Sequence, residues 1–235
     1  MRGYLITGTS SGLGRAFFDL FVRENALLVA VSRRFLPEQE AAAGGAGERV
    51  RLVSRELSDE AQVPTAWELG AWLPAGELEE VVFINNAFAD QPIGPVGALQ
   101  GDRLAAGFRV NVVAPALLAN ALLGLPGVAS GAVPVRLLNI SAAAAKNVVP
   151  GWALYCASKA ATEMFFEVAG RDHPGARVSV HNVNPGAMDT PMQERIRGSD
   201  FPGRERFVAL KESGGLADPA EAARKIAVEY LGVTS

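Results

Sequence analysis

The chain has 235 residues and a formal net charge of −3 from 22 basic and 25 acidic side chains. That length suits one large α/β domain. A near-balanced charge with 49% hydrophobic residues argues against a disordered chain and against a nucleic-acid binder. Cys156 is the one cysteine, and His173 and His181 are the two histidines, so neither a disulfide framework nor a cysteine- or histidine-rich metal site is expected.

In chain order, short apolar runs alternate with helical patterns. Tyr4–Thr7 reads as a buried strand, and Gly12–Glu24 as a helix with Leu13, Phe17, Leu20 and Phe21 at helical spacing. Leu27–Ser32 and Val50–Ser54 read as strands, with Ala41–Gly47 between them a small Ala/Gly loop. Ala61–Leu73 reads as a helix with Trp67 and Leu73 on its buried side, and Val81–Asn85 as a strand. Asp102–Leu123 is a long helix that Pro115 should kink. Val133–Ile140 and Arg177–Val183 are strands flanking the helix Ala153–Ala169. Pro219–Leu231 closes the chain as a helix, with Asp218 as its cap and Pro219 in its first turn.

Strands that are apolar without alternation are buried on both faces. Alternating with helices, they imply a parallel, doubly wound sheet covered on both sides. The expectation is a single Rossmann-type domain over residues 1–235, with residues 188–215, which carry no strand, as a lid. No apolar leader and no run of about 18 apolar residues is seen, so the cytoplasm is the default compartment and no membrane partner is expected.

Thr7-Gly8-Thr9-Ser10-Ser11-Gly12-Leu13-Gly14 joins the first strand to the first helix. Gly8 permits the tight turn, Gly12 the approach of a pyrophosphate, and Gly14 the close packing of helix on sheet. The helix N-terminus adds free N–H groups. The second strand ends in Ser32-Arg33-Arg34 with no acid to take ribose hydroxyls, so Arg33 and Ser32 point to a 2′-phosphate and to NADP. Tyr155 and Lys159 stand four apart on one helix face. A fixed ammonium there should lower the phenol from about 10 toward neutrality, letting it protonate an alkoxide. Ser141, after a strand, could hold the carbonyl oxygen, and Asn111 could bind a water or kink its helix. Cys156, turned about 100° from Tyr155, is read as packing.

With these motifs in hand, the sequence resembles the short-chain dehydrogenase/reductases over nearly its whole length. The carriers are the glycine turn, Asn85-Asn86-Ala87, Asn111, Ser141, Tyr155-Cys156-Ala157-Ser158-Lys159 and Asn184-Pro185-Gly186. The resemblance implies Tyr155 as proton donor and acceptor, and Lys159 as the residue that tunes it and holds the nicotinamide ribose. It implies Ser141 as carbonyl polariser and Asn111 as anchor of a water in a proton relay. It assigns the cofactor, NADPH, to Gly8, Ser10, Ser11, Gly12, Leu13, Ser32, Arg33, Glu56, Leu57, Asn86, Ala87, Tyr155, Lys159, Pro185, Gly186, Met188 and Thr190. Phe88 stands where the family usually has glycine, and Glu56-Leu57 where an aspartate usually meets the adenine. The sheet is expected to have six strands, not seven, because the chain stops soon after its last helix.

The stretches Ala145–Trp152 and Met188–Gln193 are similar to those of the bacterial benzil reductases, which form (S)-benzoin, and of sepiapterin reductases. This implies an aromatic 1,2-diketone as the small-molecule carbonyl substrate, with Phe88, Val148, Trp152 and Met192 lining its pocket and Phe201 and Phe207 in the lid. Pteridines and 3-ketoacyl thioesters are the alternative substrates, and a non-catalytic NADP sensor is the alternative of another class. A homodimer built on the two long helices is expected.

Overall fold

The computed structural model describes residues 1–173 and 177–233. Its strands are β1 (Arg2–Thr7), β2 (Leu27–Ser32), β3 (Val50–Ser54), β4 (Glu80–Asn85), β5 (Val135–Ile140) and β6 (Val178–Val183). They form one parallel six-stranded sheet in the order β3-β2-β1-β4-β5-β6, the doubly wound Rossmann arrangement. All six residues of β4 are buried, as its continuous apolar run requires of a strand covered on both faces. The order reverses between β1 and β4, and a crevice at the carboxyl ends of these strands is where such sheets take their ligands.

Helices α1 (Gly12–Phe21), α2 (Pro37–Ala46) and α10 (Pro219–Leu231) cover one face. There Phe17, Phe18 and Phe21 meet Ile226 and Leu231 across Tyr4, Leu28 and Val82. The other face is covered by α3 (Ala66–Trp72), α5 (Ala114–Leu123) and α7 (Ala153–Arg171). Leu69, Leu118, Leu122 and Phe166 pack there on Leu5, Phe83 and Leu137.

The segment expected as one long kinked helix is α4 (Gly101–Phe108), a wide π turn over Arg109–Val113, and then α5. The Ala114 N–H donates to the carbonyl of Arg109, five residues back. The distortion thus lies just before Pro115 and is centred on Asn111. By length and composition Gly101–Leu123 could cross a membrane, but Ala114, Leu118, Ala119 and Leu122 are fully buried in the core.

Two local expectations are corrected. Residues 41–46 are helical, part of α2, which starts at Pro37; lacking an apolar face, it carries no helical signature in the sequence. Trp67 is 81% exposed, because α3 begins only at Ala66 under a Thr65–Glu68 capping box and turns Leu69 inward instead. As expected, the stretch after β6 carries no strand; it folds into α8 (Pro191–Gly198) and α9 (Arg204–Glu212), while a short α6 (Pro126–Ala129) follows α5. Thr190 caps α8 by accepting from the Gln193 N–H.

Candidate active site

The glycine turn is built as its spacing predicts. Gly8 has φ +72, and a Cβ on Gly14 would lie 2.2 Å from the Gly8 carbonyl oxygen. Asn86 ties the two strand ends together: its Nδ2 donates to the carbonyls of Thr7 and Gly8, both at 3.0 Å. The Thr7 hydroxyl in turn accepts from the Asn86 and Ala87 N–H groups. A Cβ on Gly12 (φ +55) would come within 3.0 Å of Thr190, so the turn and the segment after β6 face each other. Gln39, fully buried on α2, supports the turn from behind by donating to the Thr9 carbonyl at 3.0 Å.

Two features fit this turn to a dinucleotide's phosphates. The Thr9 hydroxyl is buried and has no partner. Ser11, the N-cap of α1, makes no side-chain cap, so the first N–H groups of α1 have no side-chain acceptor. At the far end, buried Ser32 closes β2, while Arg33 projects with 78% of its side chain exposed, 3.9 Å from the Glu56 carboxylate. Glu56 also accepts from the Ser58 N–H, and the Leu57 side chain is packed in the core, leaving only its backbone for a ligand.

Tyr155 and Lys159 lie on the first turns of α7, with Nζ 5.8 Å from the phenol ring centroid. Lys159 is 6% exposed, and its Nζ donates to the Ile140 carbonyl at 2.6 Å. Phe88 covers both residues. Its ring centre is 4.1 Å from Nζ and 4.8 Å from the Tyr155 ring, which it meets edge-on. The expected tuning is not what this arrangement produces. Burial, aided by the nearby Cys156 and Asp90, pushes Tyr155 up to about 12. Burial likewise pushes Lys159 down to about 7, with Glu163 pulling the other way. Desolvation penalises whichever form carries charge, so phenol and amine move in opposite directions.

The expectation that Ser141 holds a carbonyl oxygen is corrected. Its hydroxyl is buried and donates its one proton to Glu163 Oε1 at 2.6 Å, leaving none for a substrate. Asn111, at the centre of the π turn, spends its side chain on protein partners. Its Oδ1 accepts from the Ala89 N–H at 2.7 Å, and its Nδ2 donates to the Ala89 carbonyl at 2.9 Å and to the Ser158 hydroxyl. The side chain thereby clamps the loop after β4, and with it Phe88, to α7. Four residues beyond Asn111 stands Pro115, which has no N–H to offer the Asn111 carbonyl.

The aromatic end gathers what the sequence placed there. Trp152 packs edge-on to Tyr155 (centroids 4.9 Å), stacks on Phe207 (5.1 Å) and meets Phe201 (5.5 Å). Ile93, Val149, Met192 and Ile196 complete the cluster. Val148 is the exception: it is 94% exposed, and its neighbour Val149 turns inward in its place. Met188 packs on the α1/α10 side of the sheet and bridges to Ala217. Helix α8 is tied to the loop after β4 by Arg195, 3.0 Å from the Asp90 carboxylate, and by Gln91 donating to the Ser199 hydroxyl. The sequence reading passed over Asp90, Arg195 and Glu163. Glu163 had one signal, its place one helical turn beyond Lys159.

Residues 3–200 match the family profile described as short chain dehydrogenase. The chain belongs to that family. It is 31% identical over 232 residues to the benzil reductase ((S)-benzoin forming) of Bacillus cereus, covering 96% of this chain and 92% of the relative. It is 30% identical to the sepiapterin reductase of Mus musculus, covering 94% and 88%. Among solved structures, the KRED1-Pglu enzyme superposes with a TM-score of 0.81 at 23% identity, covering 100% of this chain and 97% of that one. This short-chain dehydrogenase is therefore an oxidoreductase.

Proposed function

We propose that this short-chain dehydrogenase is a single-domain, cytoplasmic, NADPH-dependent reductase of aromatic 1,2-diketones, forming (S)-benzoin from benzil. The observation that carries this reading is the position of the Tyr155 phenol. It lies between the rings of Phe88 and Trp152, one helical turn from Lys159, at the carboxyl edge of the sheet where the glycine turn also opens. A flat aryl ketone matches such a box by stacking, and few charges are present to hold an acid or a sugar phosphate. The likeness to the Bacillus cereus benzil reductase supports the same substrate class.

When bound, the reduced nicotinamide supplies the hydride that reaches the carbonyl carbon. Gly8, Ser10, Ser11, Gly12, Leu13 and the uncapped start of α1 would hold its phosphates, with Arg33 and Ser32 on the 2′-phosphate. Asn86, Ala87, Pro185, Gly186, Met188 and Thr190 would border the ring and its ribose. Tyr155 donates its proton to the carbonyl oxygen. Because burial holds the phenol near 12, it keeps its proton at neutral pH and yields it only to a strong base such as a nascent alkoxide. The Lys159 ammonium then stabilises the phenolate left behind. The Asn111 carbonyl would seat a water through which the proton is replaced. Residues 188–215 serve as the lid, bringing Phe201 and Phe207 onto Trp152.

The exposed apolar side chains Met164, Phe165 and Val168 on α7 and Leu117 on α5 support pairing of two copies through these helices.

Consumption of NADPH with benzil, sepiapterin and an acetoacetyl thioester separates the substrate classes. Tyr155→Phe is expected to abolish turnover and leave NADPH binding within about twofold. Retained turnover in that variant refutes Tyr155 as the acid, and no oxidation of NADPH with any diketone defeats the substrate assignment.

A further inference from the structure

Lys159, Glu163 and Glu167 lie at four-residue intervals on α7 and so form one stripe along the helix. Each meets the carboxyl end of a strand. Lys159 Nζ donates to the Ile140 carbonyl at 2.6 Å. Glu163 Oε1 accepts from the Ser141 hydroxyl at 2.6 Å. Glu167 accepts from Asn182 Nδ2 at 2.9 Å. Glu163 is the middle tooth of this polar stitching.

We propose that Glu163 is the positioning residue of the site: it supplies the counter-charge that keeps the Lys159 ammonium intact and, through Ser141, fixes the strand end on which that ammonium rests. The proposal rests on the reductase reading for why a charged Lys159 matters, but not for its test.

The groups facing Lys159 are few. From its own helix come Tyr155 and Glu163, from β5 the Ile140 carbonyl, and from the loop after β4 the uncharged ring of Phe88. The carboxylate of that loop, Asp90, is 3.0 Å from Arg195 and bears on Tyr155. Among the described residues Glu163 is the acid whose charge acts on Lys159. Its side chain is 18% exposed and is held by a short bond from the Ser141 hydroxyl. Lys146 also lies 3.9 Å from Glu163 Oε2, but its side chain is 82% exposed, so water screens that contact. Ser141 is thus a holder of Glu163.

The chain has only four lysines, Lys146, Lys159, Lys211 and Lys225, so a sample labelled with 13Cε-lysine gives a spectrum in which each can be titrated separately. The Lys159 signal is assigned by its loss in Lys159→Arg. In Glu163→Gln the Lys159 midpoint is expected to fall by about one pH unit, the effect of a unit charge one helical turn away in a half-dry setting. Glu163→Asp should recover most of that fall. In turnover assays the alkaline limb of the kcat profile should move to lower pH by the same amount, with KM for the carbonyl little changed. An unmoved Lys159 midpoint in folded Glu163→Gln overturns the proposal. Should that variant fail to fold, Ser141→Ala decides: a fall of the midpoint in the same direction supports the role, and no movement overturns it. The titration requires neither cofactor nor substrate. A wild-type protein inactive on every carbonyl would therefore defeat the reductase reading and leave this result standing.

Discussion

Replacing Lys159 with methionine keeps the stem's volume and removes the buried charge. A lysine with an ordinary value of 10.5 that titrates at about 7 in the folded chain binds fewer protons when folded than when unfolded, across the whole interval between those values. Stability must therefore rise with pH there, by about 1.4 kcal/mol per pH unit. Below pH 7 the full cost of holding the ammonium in a dry site is present, and above 10.5 it vanishes. Between pH 7 and 9.5 the wild-type chain should gain about 3 kcal/mol on Lys159→Met. Any fixed difference in packing between the two proteins drops out of that comparison. Tyr155 acts with the opposite sign, since its raised value gives stability that is lost as pH climbs from 10 to about 12, which lies beyond this window. Urea unfolding of both proteins at half-unit steps from pH 6 to 9.5 measures the gap. Two stability curves that stay parallel would mean that Lys159 keeps its proton throughout, and that Phe88 does not dry the site as its geometry implies.

Ser141→Ala is expected to lower kcat less than tenfold, because the hydroxyl serves Glu163 and not the substrate; loss of a donor to the developing oxyanion would instead cost about a hundredfold or more. Arg33→Ala should weaken NADPH binding by about 1.5–3 kcal/mol, as for a charge-assisted contact, and leave NADH binding nearly unchanged in a fluorescence titration. Equal losses for the two cofactors would remove Arg33 as the reader of the 2′-phosphate. Arg195→Met leaves the buried Asp90 carboxylate without its partner and loosens α8 from the loop that carries Phe88. KM for the diketone should rise several-fold and exceed the fall in kcat; steady-state kinetics with benzil checks this.

The sheet was legible because its strands are apolar without interruption and its turns are marked by glycine. Boundaries set by hydrogen bonds to side chains were not. The Thr65–Glu68 capping box delays α3 and leaves Trp67 in water, although the periodicity of the segment suits a longer helix. Within the site, spacing alone brought Tyr155 and Lys159 to one helix face. Spacing could not say where a rotatable hydroxyl points. Ser141 faces Glu163, 22 positions away in the chain, and no local pattern links the two. The clamp of Asn111 on Ala89 is likewise a contact between a π turn and a loop, built by tertiary packing.

Phe88 gives the site its chemical character. Glycine at that position would leave the ammonium and the phenol open to water. A phenyl ring 4.1 Å from Nζ and 4.8 Å from the Tyr155 ring centre takes that water away. The face of the ring returns some attraction to the ammonium, on the order of 1–2 kcal/mol when desolvated, less than the hydration it replaces. Reduction needs a phenol that holds its proton and an amine that holds its charge. Drying the site secures the first and opposes the second. The second requirement must then be met by a negative group near the amine and away from the phenol, since an acid close to both would make the phenolate harder to form. Glu163 lies one turn beyond Lys159 on the side away from Tyr155, and the carboxylate nearer the phenol, Asp90, is paired with Arg195.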